Sequence, residues 1–204
     1  TDCIIAYFKN ISRKLPFSGI SCCVMGVSGA GKTALMAKVA QEFYSDNNGI
    51  PMIIRFCGTS DGSYNARKLM MSISLQIEIV YAFPEDQRLA LSFDTKKYIE
   101  LVEYFQSLLQ KHPVILFVDS LDQLSNEDQG RSDISFLKGV KPHENTRIIV
   151  SSLPDDENYT YYCDLKLRNS NVPRVVVEMT DVSNMSALDE SMSIIDELLS
   201  RKNR

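Results

Sequence analysis

The chain is poor in the residues that most often build metal sites and disulfide frameworks. It has only two histidines, His112 and His143, and neither lies near a pair of cysteines. Its five cysteines are odd in number and none of them forms a C-x-x-C spacing, which disfavours a structural zinc site. Cys22, Cys23 and Cys57 fall within apolar, strand-like segments. We therefore expect buried thiols in a reducing compartment, and so a cytoplasmic protein.

The chain also lacks an excess of basic charge and a long apolar run. Its net charge of −4 gives no electrostatic footprint for nucleic acid. No basic cluster resembles a membrane-surface patch, and no apolar run approaches the length that spans a membrane. We expect neither nucleic acid nor a membrane as a partner. The length of 204 residues and the hydrophobic content of 44% suit one globular domain with a sizeable core.

The segment GVSGAGKT, residues 26–33, fits the phosphate-binding pattern G-x-x-x-x-G-K-[ST]. An apolar, strand-like run (21–25) precedes it, and apolar residues at helical spacing follow it, which is the strand–loop–helix context that the motif requires. We expect Lys32 to reach the β- and γ-phosphates as a catalytic group and Thr33 to bind Mg²⁺. The predicted nucleotide contacts in this region are Gly26, Val27, Ser28, Gly29, Ala30, Gly31, Lys32, Thr33 and Ala34.

A second acidic motif follows the apolar run 114–118. An aspartate at the carboxyl end of a buried strand suits a Walker B carboxylate, so Asp119 would hold Mg²⁺ opposite Thr33. Asp122 could activate the attacking water, and Gln123 is a second candidate because a glutamine can position water without being a base. The alternative interpretation is a strand followed by an acidic cap and a surface turn.

Strands and helices alternate along the chain, which predicts an α/β fold with a doubly wound parallel sheet. The predicted strands are 21–25, 51–57, 114–118, a strand beginning at 147–150, and 173–179. The predicted helices are an N-terminal helix (1–15), the helix after the phosphate loop, 66–80, a helix across 98–109, a short helix over 134–140, and an exit helix (186–201). The nucleotide-binding core would span residues 20–180 of a single domain.

Three motifs together resemble NACHT domains, which are signal-transduction P-loop ATPases of the STAND class. They are GVSGAGKT, RFCGTS (55–60) and ILFVDSLDQLS (115–125). The segments RFCGTS, DSLDQLS and RIIVSSLP (147–154) are most similar to NACHT proteins that carry WD repeats. The resemblance covers essentially the whole chain, and the later segments are more specific than the phosphate loop.

The resemblance implies a three-layer sandwich of the AAA-like P-loop type, with a five-stranded parallel sheet. The sensor strand would lie between the Walker A and Walker B strands. It also implies ATP or ADP and Mg²⁺ as ligands, slow turnover, and a nucleotide-controlled conformational or assembly switch. Adjacent helical, winged-helix and repeat domains would complete a larger protein, of which this chain is a fragment, and activation could form a homo-oligomer.

The chain departs from the wider family at two places. Many NACHT domains have Asp-Glu where this chain has Asp122-Gln123, and many have an arginine where this chain has Leu153. Leu153 cannot contact phosphate, whereas Ser151 could contact the γ-phosphate or its water. Two interpretations of function stay open: a switch with slow Mg²⁺-dependent hydrolysis, and a hydrolysis-deficient nucleotide-binding scaffold. A small-molecule P-loop kinase ranks last, because residues 83–97 contain few cations for a lid.

Overall fold

The computed structural model describes residues 20–46, 49–137, 139–155, 163, 167 and 174–176. The predicted N-terminal helix (1–15) and exit helix (186–201) lie outside these residues, as does part of the predicted fifth strand (173–179). The phosphate loop, the second acidic motif and the strands that precede them all fall within the described part of the chain.

A parallel sheet organises the fold. Its strands are β1 (Cys22–Met25), β2 (Met52–Phe56), β3 (Ile115–Asp119), β4 (Arg147–Ser152) and a three-residue edge strand, β5 (Arg174–Val176). Their order across the sheet is β2-β3-β4-β1-β5, and every pairing is parallel. The predicted α/β class with a parallel sheet is confirmed. The strand β4 lies between β1 and β3, as the resemblance implied.

The helices are α1 (Lys32–Asp46), α2 (Ala66–Val80), α3 (Tyr98–Lys111) and the one-turn α4 (Gly130–Asp133). Short 3₁₀ helices are Glu85–Gln87, Ala90–Asp94, Leu121–Gln123 and Glu127–Gln129. The predicted helix over 66–80 agrees with α2 at both ends. Within the described part of the chain, no helix has the length and apolar character needed to cross a bilayer.

The predicted short helix over 134–140 is wrong. The helical turn of this region is α4, which ends at Asp133, and Ile134 has a φ of +45° that a right-handed helix does not allow. Ile134, Phe136, Leu137 and Val140 are buried all the same. These apolar residues belong to a turn that packs onto the core, and their spacing along the sequence happens to match that of a helix.

The sheet lies between two apolar layers, which completes the predicted three-layer arrangement. Side chains of successive strand residues point to opposite faces. One face packs on α1 and the other on α2 and α3, so the middle residues of β3 and β4, which are buried on both faces, are apolar. The α1 layer contains Cys22, Val24, Met36, Val39, Ala40, Phe43, Ile115, Phe117 and Ile149.

A buried carboxylate orders the segment between α2 and α3. Glu78 of α2 is fully buried, and its Oε1 accepts hydrogen bonds from the backbone N–H groups of Leu89 and Ala90, both at 2.8 Å. The hydroxyl of Tyr104 donates to the same oxygen. Burial and this hydrogen bond raise the pKa of Tyr104. Glu78 therefore ties the segment between α2 and α3 to the core, and Arg67 of α2 adds hydrogen bonds to the carbonyls of Phe93 and Lys96.

We predict that Glu78→Ala destabilises the chain by about 3 kcal/mol, because it leaves one buried and one partly buried N–H group and a tyrosine hydroxyl without their acceptor. Glu78→Gln keeps an acceptor oxygen and should lose less than half as much. Urea unfolding followed by circular dichroism measures both changes. The exposed Glu103→Ala of α3 is the control for loss of charge, expected within about 0.5 kcal/mol of the parent. Equal losses for Ala and Gln would contradict this role of the acceptor.

Candidate functional site

The candidate site lies where three neighbouring strands end. The loop 26–31 follows β1, Asp119 ends β3, and Ser151 lies near the end of β4. Because the carboxyl ends of parallel strands meet at one edge of a sheet, this arrangement places the two acidic motifs and the loop together. Ligands of open α/β sheets bind at this edge.

The loop has the backbone that an anion site needs. Gly29 and Gly31 have φ values of +81° and +85°, and a Cβ built on either would meet no atom within 4 Å. Glycine is therefore required there by backbone conformation and not by close packing. The helix α1 begins at Lys32, so its first N–H groups, which have no intrahelical acceptor, face the loop. Successive N–H groups in such a turn form a concave site for anions.

The side chain of Lys32 folds back over the loop 26–31 that precedes it. Its Nζ donates to the backbone carbonyls of Gly26, at 2.7 Å, and Val27, at 2.9 Å. The residue is only 9% exposed. Burial lowers the pKa of its ammonium group, and the nearby carboxylates of Asp122 and Asp119 oppose that shift. An ammonium has three donors, so one remains beyond the two that hold the side chain over the loop.

Asp119 joins the loop to the sheet. Its Oδ2 accepts a hydrogen bond of 2.6 Å from Thr33 Oγ1, and its Oδ1 accepts one from the hydroxyl of Ser151. Asp119 is 3% exposed and Ser151 is fully buried. The residues predicted to bind Mg²⁺, Thr33 and Asp119, are thus brought into direct contact, although 86 residues separate them in sequence.

Asp122 faces a different set of donors. It is also 3% exposed, and its Oδ1 accepts a hydrogen bond of 2.9 Å from the backbone N–H of Leu153. Its Oδ2 accepts one of 2.6 Å from Gln123 Nε2. Since a carboxylate only accepts, it fixes the orientation of the glutamine amide. Gln123 is exposed, and its Oε1 lies on the side of Gly58, where an added Cβ would be 3.5 Å from it. Both carboxylate oxygens of Asp122 therefore accept hydrogen bonds from within the protein, whereas a general base would have an oxygen available to the attacking water.

The oxygen donors of this site fit magnesium held together with a nucleotide. Mg²⁺ prefers oxygen ligands and keeps several waters, so one carboxylate and one hydroxyl beside a phosphate-binding loop are a suitable set. Among the described residues there is no group of three histidine, cysteine, aspartate or glutamate side chains that could hold a metal alone. The protein therefore supplies part of a coordination shell, and phosphate and water oxygens would supply the rest.

Two supporting residues were not predicted from the sequence. Gly58, just after β2, has a φ of +73°, and a Cβ on it would come within 2.8 Å of Gln123 Cβ. Ser120 has a left-handed conformation, with φ +60° and ψ +54°, and its N–H donates to Ser151 Oγ at 2.8 Å. The turn residues of RFCGTS gave a signal for Gly58, since glycine often marks a positive φ. The sequence has no comparable signal for Ser120.

The buried thiol beside Asp119 is not a nucleophile. The backbone N–H of Cys57 donates to the carbonyl oxygen of Asp119 at 3.0 Å, which ties the end of β2 to the end of β3. Burial raises the pKa of the Cys57 thiol to about 12, and the carboxylates of Asp119 and Asp122 add to this shift. The thiol stays protonated at neutral pH, as expected of a packing residue.

The sequence matches a described family and named relatives. Residues 13–152 match the family "Nephrocystin 3, N-terminal". Over 144 residues the chain is 33% identical to NACHT and WD repeat domain-containing protein 2 of Mus musculus, which covers 65% of this chain and 8% of that protein. It is 30% identical over 115 residues to NACHT domain- and WD repeat-containing protein 1 of Homo sapiens, covering 53% of this chain and 7% of that protein. The predicted resemblance to NACHT proteins with WD repeats is confirmed, and the chain spans less than a tenth of these relatives.

Solved structures show the same fold at low identity. The Aeropyrum pernix ORC2 protein, solved as ADPNP–ADP complexes, matches with a TM-score of 0.53 and 12% identity, over 95% of this chain and 51% of that chain. The Aeropyrum pernix ORC1 protein, solved in complex with DNA, matches with a TM-score of 0.50 and 11% identity, over 92% of this chain and 48% of that chain. The likeness shows the fold alone.

We predict that Gly58→Ala is more destabilising than Gly62→Ala. Both glycines have positive φ, at +73° and +83°, so each substitution carries backbone strain of about 1 kcal/mol. Only at Gly58 would the new Cβ meet another side chain, Gln123, closer than 3.0 Å, which adds about 1–3 kcal/mol. Urea unfolding of the two variants measures the difference. If the two losses are equal, the contact between Gly58 and Gln123 does not constrain the site.

Proposed function

The chain belongs to the Nephrocystin 3, N-terminal family, and from its site geometry we propose that it binds ATP or ADP with Mg²⁺ as a nucleotide-dependent switch module. The observation that carries this proposal is the hydrogen bond between Thr33 and Asp119 beside the loop of Lys32. A match of residues 26–33 to the phosphate-binding pattern could by itself arise by chance. The direct contact between the two magnesium candidates, built from separate motifs, supports a working site.

Each residue has a role that its position supports. The N–H groups of the loop and of the start of α1 would bind phosphate oxygens. Lys32 would turn its ammonium from the loop carbonyls to the β- and γ-phosphates. Thr33 and Asp119 would hold Mg²⁺, which neutralises phosphate charge when bound. The net charge of −4 supports a small nucleotide over nucleic acid as the partner.

Hydrolysis would be slow because the two described carboxylates of this site, Asp119 and Asp122, are both hydrogen-bonded within the protein. Both oxygens of Asp122 are engaged by Leu153 and Gln123. Gln123 presents an amide oxygen, which can accept a hydrogen bond from the attacking water and orient it, but it accepts a proton very weakly. In this proposal Asp122 positions Gln123, and Gln123 positions the water.

A second candidate function, a nucleotide-binding scaffold without hydrolysis, is favoured by the same two residues. Leu153 is apolar and supplies no charge at the phosphate, and Asp122 is held within the protein. In such a scaffold ADP would stabilise the domain and would not be turned over. The two candidates share the binding residues and differ only in whether water is activated.

A switch requires that the nucleotide binds two arrangements of the protein with different affinity. The relatives are named for WD repeats, and they are far longer than this chain. We accordingly place the domain in a cytoplasmic protein with adjacent helical, winged-helix and repeat domains and with homo-oligomerisation on activation.

We predict that the purified chain retains ADP or ATP and that Lys32→Ala loses it. Denaturation followed by ion-exchange chromatography of the released ligand measures the nucleotide content. Added Mg²⁺–ADP should then bind the variant at least tenfold more weakly, because one charge-assisted phosphate contact is gone. Lys38→Ala, an exposed lysine of the same helix, is the matched control and should bind as the parent does. A parent chain that carries no nucleotide and fails to bind Mg²⁺–ATP at millimolar concentration would contradict the proposal.

We also predict that Gln123→Ala lowers kcat for ATP by about tenfold to a hundredfold, from a parent value well below the ~10 s⁻¹ that is common for enzymes. The affinity for ADP should change by less than about twofold, since Gln123 is not among the phosphate contacts. Phosphate release and ADP titration measure the two quantities. Asn126→Ala, an exposed residue of the following turn, is the control. No detectable turnover by the parent chain would favour the scaffold, and unchanged turnover in Gln123→Ala would remove that residue from the mechanism.

A further inference from the structure

Ser151 occupies a position from which it acts on a carboxylate. It lies on β4, pairs with Val24 of β1, and is fully buried. Its side chain points to the α1 face of the sheet, because it alternates with Val150, which packs in the opposite layer. The end of β3 lies on its other side, which brings Asp119 against its hydroxyl.

The hydroxyl of Ser151 is already used as a donor. It has one hydrogen, which it donates to Asp119 Oδ1, and it accepts the N–H of Ser120 at 2.8 Å. Ser120 has φ +60°, a conformation that costs free energy for a residue with a Cβ. The chain thus turns sharply after Asp119 and directs a backbone donor at Ser151. A phosphate oxygen, which can only accept, would have to displace Asp119 from this hydroxyl.

The bond from Ser151 holds the carboxylate of Asp119 in one orientation. With Oδ1 held by Ser151, the other oxygen, Oδ2, lies 2.6 Å from Thr33 Oγ1. Without Ser151 the carboxylate could rotate about its Cβ–Cγ bond, since a terminal carboxylate torsion is broad. The Asp119 oxygen that contacts Thr33, a candidate Mg²⁺ ligand, is therefore oriented by the Ser151 hydroxyl, which bonds the other oxygen of the same carboxylate.

We propose that Ser151 is a positioning residue for Asp119, and that it sets the Mg²⁺ dependence of nucleotide binding without contacting the nucleotide. This inference rests on the proposed function and alters one part of the sequence-based expectation, in which Ser151 contacts the γ-phosphate. The role is specific. Loss of a phosphate contact weakens binding with or without Mg²⁺, whereas loss of carboxylate orientation weakens binding only when Mg²⁺ is present.

The test compares ADP affinity in Mg²⁺ with ADP affinity in EDTA, by titration calorimetry on the 204-residue chain. In Ser151→Ala, we expect the Mg²⁺-dependent gain in affinity to fall at least fivefold, while the affinity in EDTA stays within twofold of the parent. Ser151→Thr keeps the hydroxyl and should restore the gain. The matched control is Ser152→Ala, the next buried serine of the same strand, whose side chain points to the opposite face and donates to Leu153 O at 3.2 Å.

A second variant covers the case in which Ser151→Ala does not fold. Ser151→Cys fills the same space with a weak donor and should show the same selective loss. Mn²⁺ in place of Mg²⁺ gives an independent readout, because electron paramagnetic resonance reports free Mn²⁺ in the presence of ADP and the variants should leave more of it free. Equal weakening in Mg²⁺ and in EDTA would overturn the proposal in favour of a nucleotide contact. An unchanged gain would overturn it outright, and a parent chain that binds no ADP in either condition would overturn the proposed function itself.

Discussion

The hydrogen bonds that Asp119 accepts from Thr33 and Ser151 are the constraint on which the site depends. A carboxylate that is 3% exposed is costly to bury unless its oxygens are hydrogen-bonded, and here two hydroxyls serve both of them. Those hydroxyls can meet it only if β4 lies between β1 and β3. The strand order, which is unrelated to the order along the chain, is thus a requirement of the site. A sheet with β1 next to β3 would leave no place for Ser151.

The two carboxylates of the acidic motif are three residues apart and have separate tasks. Asp119 is turned toward the loop, while Asp122 is turned toward Leu153 and Gln123. In the proposed function, binding and hydrolysis would therefore depend on different side chains. In the proposed function, this separation would let the residues expected to bind Mg²⁺ and phosphate stay in place with a glutamine at 123 and a leucine at 153. It also explains why the switch and the scaffold differ only in the second carboxylate.

Local pattern predicted much of this molecule. The 3.6-residue period of 66–80 fixed α2, and the apolar runs before the two motifs located β1 and β3. The spacing within each motif predicted that Thr33 and Asp119 would lie together, and the structure brings them into contact; their binding of Mg²⁺ stays a prediction. The features that the sequence did not predict depend on contacts between residues that are far apart in the chain. The apolar residues from Ile134 onward pack in a turn with a positive φ, and the contacts of Gly58 with Gln123 and of Ser120 with Ser151 join segments that no local pattern relates.

The end of β4 is held to both carboxylates, which bears on how a nucleotide could be sensed. Ser151 contacts Asp119 through its side chain, and Leu153 contacts Asp122 through its backbone N–H. A shift of Asp119 or of Asp122 would therefore act on residues 151–153, where the chain leaves the sheet. The second contact is made by the backbone and does not depend on the side chain at 153, so a leucine there leaves this connection in place. In the proposed function, a shift of either aspartate on binding Mg²⁺ and nucleotide would therefore act on the same end of β4.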